Sequence, residues 1–232
     1  MVRGTDRVVD CGPVTERTGP EPPRIEPVVL PELTAPQDTG DVREGERYED
    51  LDWSGADREF WAFTGCAFRR VDLDGTSLRG VHLTEVTLSG LEASELVAPR
   101  SMWQRAELTG GRIGSAELYD GSWRSVTVSG AKIGYLNARA AEWRDVRFDD
   151  CIIDELDLSS ARVTRLALDG CRIGTLTLAK ARLSEVDLRR ADLRAVTDVA
   201  GLAGTWITED QLTDLAPHLA SHLKISVGRD AV

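Results

Sequence analysis

From Tyr48 to Leu193 an inward-type residue returns every fifth position without a slip in frame. Phe63, Phe68, Leu73, Leu78, Leu83 and Leu88 open the regular run, and Ile173, Leu178, Leu183, Leu188 and Leu193 close it. Two positions before each sits a second, usually smaller apolar residue, as in Val71-Asp72-Leu73 and Ala181-Arg182-Leu183. A period of five matches neither the 3.6 of a helix nor the 2 of a strand, so the repeat is a supersecondary unit in its own right. The fold has to place two of every five residues indoors over this whole stretch.

Val71-Asp72-Leu73-Asp74-Gly75 and Ala191-Asp192-Leu193-Arg194-Ala195 resemble the pentapeptide-repeat family consensus: a small residue, Asp or Asn, Leu or Phe, then two polar or small residues. Thirty consecutive frames fit between Glu46 and Ala195, about two thirds of the chain. The resemblance implies an all-β solenoid, a right-handed quadrilateral parallel β-helix of about seven to eight coils, with four pentapeptides to the coil. It also implies a non-catalytic binding role. Known members of the family resemble a B-form duplex in width and charge, occupy the DNA site of type II topoisomerases, and inhibit or protect DNA gyrase.

Four sides of five residues predict that positions twenty apart stack, and Trp103, Trp123 and Trp143 share that spacing and the same place in their frames. The residues two before them, Ser101, Gly121 and Ala141, are small. Where the central residue shrinks, at Ala93, Ala98 and Ala138, the partner two before grows to Leu91, Leu96 and Leu136. Such volume trading is what a close-packed interior demands. Coils spaced by about 4.8 Å would make a rod of roughly 36 Å whose two ends need caps.

Around this run the chain divides into residues 1–45, 46–200 and 201–232. Residues 1–45 hold seven of the nine prolines and nine acidic residues against five arginines, and read as a mostly disordered leader. Val28-Val29-Leu30 is its one apolar cluster and a candidate contact with the first coil. Arg58 occupies a slot that wants an apolar residue, which places it at the open end with its guanidinium reaching water. Pro99 falls at a corner and inserts no loop. No apolar run approaches a membrane span and no basic flank precedes an apolar core at the N-terminus, so the expected address is cytoplasmic, without membrane contact.

After Leu193 the frame stops. Thr208-Glu209-Asp210-Gln211 forms a capping box, and Leu212, Leu215, Leu219 and Leu223 follow at helical spacing. Pro217 is expected to split this into two short helices or to start the second, and Ile225-Ser226-Val227 to add a strand. The leucines serve as a lid over the last coil or, by the resemblance, as a homodimer contact; both roles stand open.

The residues supply no catalytic constellation, and no cofactor or metal is expected. Cys66, Cys151 and Cys171 fall in the small inward slot, and an in-register ladder aims the Cβ atoms of Cys151 and Cys171 in parallel, a poor disulfide geometry. Asp214, His218 and His222 would share one face of an uninterrupted helix, which Pro217 opposes. The carboxylates sit on a convex surface with no cleft to perturb them.

The chain carries a formal charge of −11, but residues 46–200 hold 26 acidic against 21 basic residues. On one face Asp52, Asp72 and Glu92 give way to Arg112, Lys132 and Arg172, while another carries Arg105, Arg124, Arg144 and Arg165. Two functions follow. One is a DNA-mimicking modulator whose protein partner is DNA gyrase, with no direct nucleic-acid binding. The other is a rigid protein scaffold unrelated to topoisomerases, for which the outward apolar residues Val97, Met102, Tyr119, Tyr135 and Ile152 are candidate contacts.

Overall fold

The computed structural model describes residues 19–37 and 40–228. Cys11 and the first part of the leader lie outside them. The repeat folds into a parallel β-solenoid of about eight turns in which each residue pairs with the one twenty ahead: Trp103 with Trp123, Trp123 with Trp143, Ile133 with Ile153. Its four faces are exemplified by residues 82–84, 87–89, 92–94 and 97–99. The first two belong to strands such as His82–Ser89, the third and part of the fourth to strands such as Glu92–Val97.

The corners explain where glycine appears. In the turn that begins at Val81, Glu85, Gly90 and Arg100 all carry φ between 53° and 62°, whereas Glu95 does not. Three corners therefore need a left-handed residue, which glycine adopts at least cost. The remaining one is crossed by continuous strand and accepts Tyr135 and Glu155 without backbone strain.

Inside, the stack inferred from spacing is present. Trp103, Trp123 and Trp143 are buried, with ring centroids 5.0 Å and 4.9 Å apart. Leu91, Leu96 and Leu136 are buried beside Ala93, Ala98 and Ala138, so the volume trading holds layer by layer. Between the Phe63 and Phe68 layer and Trp103 a void of about 20 Å³ remains, lined among others by Leu83 and Leu88.

The solenoid starts one frame earlier than the apolar pattern shows. Val42–Glu44 pairs with Ala62–Thr64, which puts Arg43 in an inward slot. The frame is hidden in the sequence because that slot holds a charge, accommodated by its contact with buried Glu46 and by a hydrogen bond to the Gln37 carbonyl. Arg58 is half-buried and folds back over the open end. Its guanidinium lies 5.1 Å and 4.5 Å from the Trp53 and Trp61 ring centroids, so the aromatic mouth of the rod is closed by cation–π contact.

At the other end a 3₁₀ turn, Val199–Leu202, replaces the next frame, and Thr205–Trp206 pairs with the strand Arg182–Asp187 at a spacing of nineteen. One helix, α1, runs unbroken over Glu209–His222 with Pro217 inside it, so the expected split does not occur. The proline removes one N–H, but the capping box and burial of Leu215 hold the helix together. Gln211 also donates to the carbonyls of Leu188 and Ala191, tying α1 to the last complete turn. Ile225-Ser226-Val227 forms no strand and is exposed.

Residues 19–37, assigned by composition to a mostly disordered leader, run in extended form along the corner between the first and second faces. They travel from the C-terminal end of the rod toward the N-terminal end. The N–H of Glu21 donates to Glu185 at 3.2 Å, that of Arg24 to Asp145 at 2.9 Å, and that of Val28 to Glu107 at 2.8 Å. Thr34 then pairs with Glu46. Val28 and Leu30 thus rest half-buried on the corner, with Val28 at the turn carrying Glu107, well beyond the first coil.

Candidate binding surfaces

Because the core is filled, whatever this molecule recognises meets its outer faces. The third face begins acidic: Asp52, Asp72 and Glu92 pair in succession, flanked by Asp57, Asp74 and Glu95. None of these six carboxylates forms an ion pair among the described residues. Asp74 is fixed by the N–H groups of Ser94 and Glu95, at 2.8 Å and 3.0 Å, and Asp52 turns back onto Ser54 N–H. The side-chain and backbone hydrogen bonds from Ser54 hold the Asp52 carboxyl below its ordinary range. A shallow open depression of about 490 Å³ lies here, lined by Asp72, Asp74, Glu92 and Arg112. From Arg112 onward the same column turns basic through Lys132 and Arg172, with Ile152 between them.

The first face has the opposite character toward the C-terminal end. Arg124 and Arg144 are ladder partners, as are Arg162 and Arg182, and none of the four forms an ion pair among the described residues. At the adjoining corner Arg105 pairs with Glu85 and Arg165 with Asp145. Burial alone would raise the Asp145 pKa, but the Arg165 guanidinium and the Arg24 N–H outweigh it and hold the carboxyl below its usual range.

The five apolar residues singled out from the sequence do not converge. Val97 and Tyr119 lie on the fourth face, Met102 on the first, Ile152 on the third, and Tyr135 at the corner between third and fourth. Met102 and Ile152 are exposed, whereas Val97, Tyr119 and Tyr135 are half-buried. Burial, with Asp157 and Glu117 nearby, raises the Tyr135 phenol. The four leucines of α1 divide as well. Leu215 is buried, Leu219 packs partly against the core, and Leu212 and Leu223 face outward at 49% and 65% exposure.

Cys66, Cys151 and Cys171 are buried free thiols. Cys151 and Cys171 each contact a carbonyl of the preceding turn at 3.4 Å, Val128 and Phe148 respectively. The hydrogen bond with Cys151 and burial push the Cys171 thiol far up, so it is a poor nucleophile. Asp214, His218 and His222 do share a face of the unbroken α1, exposed to solvent, and no metal-binding cluster occurs among the described residues. Sequence reasoning missed the leader's corner track and the Arg43–Glu46–Tyr48 group. The signal for the latter was a buried-type position filled twice by charge.

These surfaces define a four-sided, close-packed β-solenoid that presents faces of opposite charge to its surroundings. The family model for pentapeptide repeats matches residues 63–94 in eight copies, and the same five-residue frame continues through the strands on either side. Among solved structures, a trypsin-treated form of QnrB1, a plasmid-mediated fluoroquinolone resistance protein, is 19% identical; the match covers 88% of this chain and 100% of that one, with a TM-score of 0.33. HetL, a pentapeptide repeat protein involved in heterocyst differentiation regulation from the cyanobacterium Nostoc sp. strain PCC 7120, is 17% identical over 73% of this chain and 90% of that one, with a TM-score of 0.26. No curated protein matches the chain.

Proposed function

We propose that this protein is a non-catalytic binding protein of the cytoplasm that engages a type II topoisomerase, DNA gyrase, by offering carboxylates where the enzyme expects DNA phosphates. The observation that carries this reading is the cluster of six carboxylates on and beside the N-terminal part of the third face, none of them in an ion pair among the described residues. Successive turns about 4.8 Å apart repeat the charge along the rod, as a nucleic-acid backbone repeats its own. A surface made to bind polyanions is attracted to such a cluster by long-range fields that weaken with salt.

The test is gyrase supercoiling with added protein, across a salt series. Inhibition or quinolone protection is expected at low salt, and the variant Asp72→Asn, Glu92→Gln, Glu95→Gln should lose most of it. A wild-type protein that does neither at any salt concentration overturns the reading. A second reading, a rigid scaffold for other proteins, is favoured by the unpaired arginines Arg124, Arg144, Arg162 and Arg182 on the opposite face, which no phosphate mimic needs.

A further inference from the structure

The leader lies where it does for reasons that are mostly not specific to its own side chains. Three main-chain N–H groups, each on the residue after a proline, reach three carboxylates of the rod: Glu21 to Glu185, Arg24 to Asp145, and Val28 to Glu107. Pro31 rests over Gly65, where an added Cβ would sit 3.1 Å from the proline ring and 4.0 Å from Gly45 N. The corner column thus offers acceptors for an extended chain and a bare backbone for a proline.

The spacing also fits. Polyproline II advances about 3.1 Å per residue, so three residues cover about 9.3 Å, close to two solenoid turns of about 4.8 Å. Glu21 to Arg24 spans two turns in three residues, as does Val28 to Pro31. Charge agrees with geometry, because Glu21 and Glu26 travel beside the edge that carries Arg105, Arg124 and Arg165.

The two ends of this strap are held very differently. Near the N-terminal turn the Gln37 N–H donates to buried Glu46 at 3.1 Å, and buried Arg43 donates to the Gln37 carbonyl. Toward residue 19 the contacts are sparser: one hydrogen bond each from Glu21 and Val28 to the half-buried carboxylates Glu185 and Glu107, and at Arg24 one to buried Asp145 and a long one from Ser125 Oγ. Such a segment peels from its weak end while staying latched at the other.

We propose that this corner is a docking track for extended proline-rich peptides, that residues 19–33 fill it as a tethered occupant, and that a partner protein binds through an acidic, proline-rich segment of its own by displacing them. A tethered occupant competes at an effective concentration in the millimolar range, so the track is closed to weak ligands and open to a matched one. This surface is distinct from the acidic third face, and its test does not depend on any effect on gyrase.

The experiment uses the full-length chain and a full-length variant in which residues 20–33 are replaced by a glycine-serine segment of equal length, leaving the latch at Thr34–Gln37. A fluorescent peptide of residues 19–33 is titrated into each and followed by anisotropy. The variant is expected to bind at least tenfold more tightly than the wild type, and Glu107→Ala in the variant background should weaken that binding at least threefold. In isotopically labelled wild-type protein, saturating unlabelled peptide should accelerate amide exchange at Glu21, Arg24 and Val28 and leave the amides of Trp123 and Val126 protected. Equal binding to both proteins, absence of binding to both, or equal binding of a proline-free peptide of the same charge overturns the proposal.

Discussion

At the scale of single residues, Trp103 shows what a small neighbour contributes in a filled interior. Its indole N–H donates to Ser101 Oγ at 3.0 Å, while the indole nitrogens of Trp123 and Trp143 have no partner, because Gly121 and Ala141 occupy the equivalent slots. A buried donor left unpaired costs about 1–3 kcal/mol. Ser101→Ala is therefore expected to lower stability by about 1–2 kcal/mol in denaturant titrations. Combining it with Trp103→Phe should cost less than the two changes summed, since the second removes the orphaned donor. The void beside Leu83 gives the converse case. That position stands between Phe63 and Trp103 in the same column, so Leu83→Phe restores an aromatic already tolerated on both sides. A gain of about 0.5–1 kcal/mol is expected, read as a higher melting temperature; a loss would show that the adjacent leucines cannot yield.

At the scale of elements, α1 and the leader close the rod by different means. Helix α1 is fastened by one buried leucine and by Gln211, whose amide serves two carbonyls of the solenoid while completing the capping box. Gln211→Ala should loosen the lid by about 1–2 kcal/mol and appear first as faster amide exchange in Arg182–Asp187 and α1. The leader depends instead on ionised carboxylates. Asp145 has a folded pKa below its unfolded value of about 3.9, so its contribution is fully present above that pH and is lost as pH falls through the folded pKa. The protection factor of the Arg24 amide, with the intrinsic pH dependence of exchange divided out, should accordingly fall on acidification below about pH 4 and be flat between about pH 5 and 8. Acid sensitivity of the core stack in the same range, ahead of the leader, would contradict this.

At the scale of the whole molecule, the two ends and the two charged faces set what can assemble with what. The N-terminal mouth is sealed by Arg58 on Trp53 and Trp61, whereas the C-terminal end leaves Leu212, Leu223, Ile225 and Val227 exposed beside the lid. Exposed apolar residues clustered at one end favour a contact between two copies. If that contact forms, Leu223→Asp should abolish it in light scattering without changing the melting temperature, because the side chain does not cap the core. Leu215→Asp should instead open the lid and destabilise the monomer by about 2–4 kcal/mol. A monomeric wild type at all concentrations would leave the leucines with the lid role alone.

The interior was legible from the chain itself. A strict frame of five with compensating volumes leaves one way to bury two residues in five, so the tryptophan stack, the buried cysteines and the paired leucines and alanines follow from order and size. The capping box at Thr208 was equally local, since both of its partners lie within four residues. The first frame escaped because Arg43 and Glu46 are polar by type and buried only in company with Gln37 and Tyr48. Pro217 misled for the related reason that a helix packed on a rod tolerates a lost hydrogen bond that an isolated one would not. The leader's path lay furthest out of reach. Its acceptors, Glu107, Asp145 and Glu185, are separated from it by 79 to 164 residues. Winding the chain is what brings them into one column, because local periodicity fixes which side chains point inward while only the closed coil fixes which distant residues become neighbours outside.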